Sequence, residues 1–225
     1  MRNDPMMSLS FTVAGGGQLS LTPDKLVVAG YTARDEESVR AHIAELAAIG
    51  VPPPESVPAY YDLDPALLTS APVVDVDGTS TSGEVEPVII RADGRYFLAV
   101  GSDHTDRDLE RSDIVLAKAS CPKPVGATAV EIGADLSELN WDALRATSVV
   151  DDRPYQQGGV ATLRRPEELV QRMTVAAPGD LVLFCGTFPL LGGEFVFGDR
   201  WELSLSSPDG WVLTHAYATR HHSTA

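Results

Sequence analysis

Positive charge is scarce in this sequence: 17 lysines and arginines stand against 32 aspartates and glutamates, a formal net charge of -15 over 225 residues. Such a field repels polyphosphate and anionic lipid, so nucleic acid and an anionic membrane surface are excluded as partners. Long apolar runs are also lacking. No stretch approaches the roughly 20 apolar residues of a membrane span, and the opening Met1-Arg2-Asn3-Asp4-Pro5 has neither the apolar core nor the cleavage pattern of a secretory signal. The expected location is cytoplasmic. Cysteine is limited to Cys121 and Cys185, without close pairing or zinc-type spacing, which argues against a disulfide framework and predicts two reduced thiols. The sequence contains no internal repeat and no low-complexity segment.

What is present is enough for one substantial core, with 44% hydrophobic residues, and one catalytic unit is expected. Leu9, Phe11 and Val13 alternate with polar residues before Gly15-Gly16-Gly17, and Leu19 and Leu21 follow. That pattern predicts a hairpin and makes 1–32 an N-terminal edge segment. From Ala33 the period changes. Asp35 suits a helix cap, Glu36 and Glu37 a first turn, and Val39, Ile43, Leu46 and Ala47 an apolar stripe that ends near Gly50 and Pro52-Pro53-Pro54. Residues 33–71 therefore read as a helical, lid-like segment and linker. Short apolar runs at 73–76, 85–90, 96–100, 114–117, 127–132, 181–184, 195–197 and 201–205 predict a β-rich body over 72–219, with a helix at 166–173. Residues 220–225 read as a polar tail, and His215, His221 and His222 lack the spacing of a metal motif. The predicted class is α+β, mostly β, with few short helices.

The chemistry concentrates in one stretch. Glu84 and Glu86 lie two apart in a strand-like segment, so both carboxylates project from one face. They repel each other unless a cation lies between them, and Asp103 supplies a third hard oxygen ligand, which makes Mg2+ or Mn2+ the natural occupant. A bare strand face in solvent has the same spacing; Asp103 and Lys118 downstream tip the reading towards a site. Lys118 offers a compact cation for an oxyanion, and also reads as an ordinary strand-end lysine. His42 and Glu45, three apart on the helix, share a face and form a candidate base dyad or a plain surface pair. Arg107 suits a substrate carboxylate, although Asp106, Arg107 and Asp108 also read as a structural ion-pair cluster. His104 points into either the pocket or the core. Thr187, after Gly186, marks either an anion-binding turn or a simple tight one.

Glu84-x-Glu86, Asp103-x-Thr105-x-Arg107-Asp108, Lys118 with Ser120-Cys121-Pro122, and Pro178-Gly179-Asp180 running to Gly186-Thr187 occur in the order found in the fumarylacetoacetate hydrolase superfamily, which the chain resembles over roughly 39–212. Segments 101–107 and 152–156 resemble a small branch without an established reaction. The resemblance implies a mixed β-sandwich roll, a homodimer, and Mg2+ or Mn2+ held by Glu84, Glu86 and Asp103. It also implies a small oxo-acid, acylpyruvate or 1,3-dicarbonyl substrate cleaved at a C–C bond through a metal-bound enolate by a hydrolase or lyase. His42-Ile43-Ala44-Glu45 is similar to a dyad on a helix that closes over the metal. Alternatives are a hydratase, isomerase or tautomerase on the same fold, or a non-catalytic ligand-binding accessory protein. The chain departs from the family at Glu110, where a glutamine often contacts substrate, and at Phe188, expected to make one pocket wall apolar.

Overall fold

The computed structural model describes residues 8–48 and 53–222. Its main sheet has eight strands in the order β2 (Gln18–Leu21), β1 (Leu9–Val13), β12 (Thr128–Gly133), β9 (Arg95–Ser102), β8 (Val85–Ala92), β15 (Leu181–Phe184), β3 (Lys25–Gly30) and β4 (Ala59–Leu63). The β1/β12 and β15/β3 pairs are parallel and the others antiparallel. A second sheet of five strands runs β14 (Arg153–Gly159), β13 (Arg145–Val150), β16 (Arg200–Ser206), β17 (Val212–His222) and β6 (Val73–Asp77). Two short ladders accompany these sheets: β10 (Thr105–Asp106) with β7 (Thr81–Ser82), and β11 (Lys123–Pro124) with β5 (Leu68–Thr69). The α-helices are α1 (Glu36–Ala48), α2 (Arg107–Glu110), α3 (Ile114–Ala119) and α4 (Pro166–Arg172). None is long and apolar enough to cross a membrane.

The central strands are buried on both faces, and alternation sends neighbouring residues into two different cores. Val27, Ile89 and Leu183 face the five-stranded sheet and pack with Trp201, Leu203 and Leu205. Val28, Ile90 and Phe184 face the other way, into a cluster with Phe11 and Phe97. That second cluster also joins Leu19 and Leu21 from one edge of the sheet to Tyr61 and Leu63 from the other, so the sheet is curled around it. Each large aliphatic side chain fully buried in this way contributes about 1.5–3 kcal/mol. The five-stranded sheet shows the opposite pattern, with β6 and β13 alternating between exposed and buried positions. One of its faces is therefore solvated.

The hairpin expected near the N-terminus is β1–β2, and α1 starts where Asp35 accepts from the Glu37 N–H (3.0 Å) and the Ser38 hydroxyl (2.6 Å). Two apolar runs expected as strands differ. Residues 114–117 belong to α3, because Asp113 accepts from the Leu116 N–H (2.9 Å) and caps a helix there. Residues 195–197 form a surface loop rather than a strand. β17 carries the chain in regular pairing with β6 as far as His222, where the sequence reading had a tail from 220. Asp75 holds that end by accepting from Arg220 and by a 2.7 Å bond to His222 Nε2.

Candidate active site

The open end of the β8–β9 hairpin gathers the acidic residues. Val85 pairs with Ser102 and Glu86 with Gly101, and the Asp103 N–H donates to the Glu84 carbonyl at 3.0 Å, so Glu84 and Asp103 leave the hairpin side by side. Gly101 is required at this corner, because a Cβ there would lie 2.9 Å from the Pro124 carbonyl oxygen and 2.7 Å from the Phe184 ring. Glu86 Oε2 accepts from the Gly186 N–H at 2.8 Å. Gly186 has φ +100°, and a Cβ on it would lie 1.8 Å from Thr32 Oγ1, so no other residue fits. The loop after β15 thus brings a backbone donor against a carboxylate from β8.

Cations meet these carboxylates. Lys118, on the last turn of α3, donates to Asp103 Oδ2, and Lys123 Nζ lies 3.3 Å from Asp103 Oδ1. Arg107 Nη2 lies 3.0 Å from Glu84 Oε2. Burial would push the Asp103 carboxyl up, but Lys118 and Lys123 outweigh it and hold the group well below the usual carboxylate range. The same pairing outweighs the effect of burial on Lys118 and raises its ammonium. Glu86 goes the other way: burial, and then the Asp103 charge beside it, raise its carboxyl well above the ordinary value. It is 2% exposed.

Two buried carboxylates that repel each other, Glu86 and Asp103, and the partly buried Glu84 beside them supply the hard oxygen donors that Mg2+ or Mn2+ takes. Among the described residues no three His, Cys, Asp or Glu side chains converge as a ready-made ligand set. Arg107 holds Glu84, and two lysines hold Asp103. The residues fit the ion in chemical kind, with Glu86 as the carboxylate that lacks a side-chain cation in direct contact.

Arg107 is a hub. It donates through Nε to Ser82 Oγ (2.7 Å), through Nη1 to Glu110 Oε2 (2.8 Å) and through Nη2 to the Ser82 carbonyl (3.3 Å), and the Phe195 ring covers it at 3.9 Å from the centroid. Most of its donors therefore serve protein groups, and Glu110 is engaged with it. His104 faces the core: Nδ1 is 2.9 Å from Tyr217 Oη and Nε2 3.0 Å from Thr81 Oγ1, with the Trp201 ring edge-on at 5.3 Å. Burial lowers its pKa to about 3, with help from Lys123 and Arg107, so the ring is neutral. Thr187 Oγ1 donates to the Val85 carbonyl (3.0 Å) and accepts from Gln156 Nε2 (2.8 Å). Phe188 is buried against Gly158 in the inter-sheet core rather than lining an open wall. The aromatic rings that face the site's cations are Phe195, over Arg107, and Tyr61, 5.5 Å from Lys118 Nζ.

The side chains of His42 and Glu45 lie outside the described residues; their backbone belongs to α1. The root of that helix is tied down next to the site, where the Arg164 N–H donates to the Thr32 carbonyl and the Arg34 N–H to the Thr162 carbonyl, both at 2.8 Å. Thr32 is the residue that abuts Gly186. Lys123 and Phe195 carry no site signal in the sequence, and Gln156 stands there only as the end of segment 152–156, without a role. Gln156 joins the two sheets, accepting from the Val85 N–H (2.9 Å) and Ser148 Oγ (3.1 Å) while donating to the Phe188 carbonyl (2.7 Å). A lone phenylalanine and a lysine between two prolines carry no spacing signal.

A family profile described as "Protein of unknown function (DUF2848)" matches residues 29–217. No curated protein matches the chain. Solved structures share its fold. A fumarylpyruvate hydrolase from Pseudomonas aeruginosa, in complex with Mn2+ and pyruvate, is 16% identical with a TM-score of 0.65 over 97% of this chain and 98% of its own. A 5-carboxymethyl-2-hydroxymuconate delta-isomerase from Mycobacterium smegmatis is 17% identical with a TM-score of 0.61, over 100% and 93%. The yeast protein ynq8, of the fumarylacetoacetate hydrolase family, is 15% identical with a TM-score of 0.61, over 90% and 95%. The architecture is therefore the fumarylacetoacetate hydrolase fold, which these structures show in both a hydrolase and an isomerase.

Proposed function

The chain belongs to the DUF2848 family, and from that premise we propose that it is a divalent-metal-dependent hydrolase or lyase that cleaves a C–C bond in a small 2-oxoacid, acylpyruvate or 1,3-dicarbonyl compound. The observation that carries this reading is Glu86: a buried carboxylate raised by burial and by the neighbouring Asp103 charge, with one backbone N–H as its hydrogen-bond donor. A group so placed is satisfied by a proton or by a cation shared with its neighbours. We assign Glu84, Glu86 and Asp103 as the residues that hold Mg2+ or Mn2+. Bound there, the ion supplies Lewis acidity to the paired oxygens of such a substrate.

The chain's own groups do the rest. Lys118 donates a hydrogen bond to the oxygen on which negative charge develops as the bond breaks. Arg107 fixes Glu84 and Glu110 through its guanidinium and presents Phe195 beside the site. In the hydrolytic version His42, oriented by Glu45, takes a proton from water as its oxygen adds to the carbonyl carbon. The C–C electron pair passes to the departing enolate, and the proton is returned to carbon. The Gly186 N–H and the Thr187 hydroxyl serve Glu86 and the Val85 carbonyl, so this turn holds the β8 carboxylate in place instead of offering those donors to substrate. The known fold of a Mn2+- and pyruvate-bound hydrolase supports the substrate class, as a likeness.

The test is direct. With Mn2+ or Mg2+ present, the purified protein is assayed against oxaloacetate, an acylpyruvate and a 1,3-diketone, with products identified by chromatography. Cleavage of at least one, abolished by chelator and restored by metal, is expected. Conversion without C–C cleavage assigns isomerase or hydratase chemistry instead, and ligand binding without turnover assigns an accessory role.

A further inference from the structure

Lys123 is 0% exposed, on β11 between Pro122 and Pro124. Desolvating an ammonium is costly unless hydrogen-bond acceptors surround it, and four do: the carbonyl oxygens of His104, Lys118 and Cys121, and Asp103 Oδ1 at 3.3 Å. Two of those carbonyls belong to the end of α3 and its following turn, the third to the residue after Asp103. One buried cation therefore ties together the two segments that supply Asp103 and Lys118.

The two lysines are not equivalent. Lys118 has a single described hydrogen-bond acceptor, Asp103 Oδ2, and its Nζ faces the Tyr61 ring at 5.5 Å. An ammonium has three N–H donors, so Lys118 retains donors to offer and one bond to exchange. Lys123 has more acceptors than donors and nothing to exchange. Lys118 is thus the movable cation and Lys123 the fixed one.

We infer that Lys123 is a positioning residue: it keeps the Asp103 carboxylate in place and compensated when Lys118 leaves Oδ2 for the oxyanion of a bound substrate. The inference rests on the function proposed above for Lys118 and Asp103. Without Lys123, transfer of Lys118 to substrate would leave Asp103 buried beside Glu86 with no side-chain cation in contact. It would also free the α3 end that aims Lys118.

The experiment compares the full-length chain with Lys123→Met, Lys118→Met and the double variant, using crystal structures together with calorimetry of Mn2+ and of oxalate added to the Mn2+-loaded protein. Lys123→Met is expected to displace the Asp103 carboxylate and to weaken Mn2+ affinity by about ten- to a hundredfold, as when a group that orients a metal ligand is removed. Its effect on oxalate affinity should be largely absent in the Lys118→Met background, since the two act through one carboxylate. Asp103 and Lys118 unmoved with both affinities within about twofold of wild type, or strictly additive effects, overturns the inference. Wild-type protein that takes up neither Mn2+ nor oxalate overturns the functional reading instead, and the position of Asp103 in the Lys123→Met crystal then decides Lys123 alone. Lys123→Gln keeps a donor in a similar volume, and failure of both Lys123 variants to fold would reduce the residue to a structural role.

Discussion

At the scale of the residue, the site is governed by which carboxylates have a cation and which do not. Asp103 has two and Glu84 has Arg107, whereas Glu86 has the Gly186 N–H and the repulsion of Asp103. Replacing Glu86 by glutamine removes the charge and keeps the volume, so thermal unfolding of the metal-free protein should occur at an equal or higher temperature than in wild type; a large loss of stability would show that the carboxylate is needed for folding. His104 makes a second, independent prediction. Its folded pKa of about 3 lies below the 6.5 of an ordinary imidazole, so the stability it contributes is complete above 6.5 and is lost as pH falls towards 3. Between about pH 7 and about pH 4.5 that amounts to roughly 2–3 kcal/mol. Urea unfolding of His104→Gln should show a pH dependence weaker than wild type by this amount, and identical slopes would refute it. The sequence left His104 open between pocket and core because adjacency to Asp103 says nothing of which strand face it takes. Tyr217 and Thr81, 113 and 23 positions away, decide it. Arg107 was legible as a charged partner, but its engagement with Glu110 and Phe195 depends on contacts that no motif records.

At the scale of the element, α3 carries the mobile cation. It is six residues long with Asp113 as its cap, too short to be stable without help. Asp113→Ala should lower stability by about 1 kcal/mol, read by urea unfolding, and should reduce turnover by loosening Lys118. Unchanged values of both would remove the cap from the account. Lys118→Met should cut turnover by about two to three orders of magnitude with the fold intact; full activity would exclude Lys118 from the chemistry. On α1, His42→Ala should abolish hydrolytic cleavage but spare decarboxylation or tautomerisation, which need no attacking water, and full hydrolytic activity would direct the search for the base elsewhere. The sequence placed α1, α4 and strands β1, β2, β8, β9, β12 and β15 correctly, because caps, prolines and β-branched runs act locally, but it left β3 inside the N-terminal edge segment and read β4 as part of the helical lid and linker over 33–71. It placed 114–117 in a strand because four consecutive apolar residues fit a buried strand or a helix equally well. The polar strands β13 and β14 escaped for the converse reason: their register is imposed by partners across the five-stranded sheet.

At the scale of the whole molecule, curling of the eight-stranded sheet brings the β8–β9 corner, the end of β15 and the root of α1 to one place, though the chain separates Thr32, Glu86 and Gly186 widely. The order of motifs along the sequence pointed to this architecture, while the closeness of Lys123 to Asp103 required the folded chain. The surface bears on assembly. Leu191, Phe197 and Leu116 are 54%, 52% and 51% exposed; such residues mark an interface only where they form a contiguous patch, and the homodimer is expected from the family resemblance. Sedimentation should find a homodimer of the 24.0 kDa chain, dissociated by Phe197→Asp if that residue is at the contact; a monomeric wild type would contradict the dimer. The most direct test of the central claim is calorimetric titration of Mn2+ into wild-type protein and into Glu86→Gln. The account predicts saturable binding of one ion per chain in wild type, with a matching rise in unfolding temperature, and loss of both in the variant. Equal Mn2+ affinity in the two proteins, or none in wild type, would contradict it.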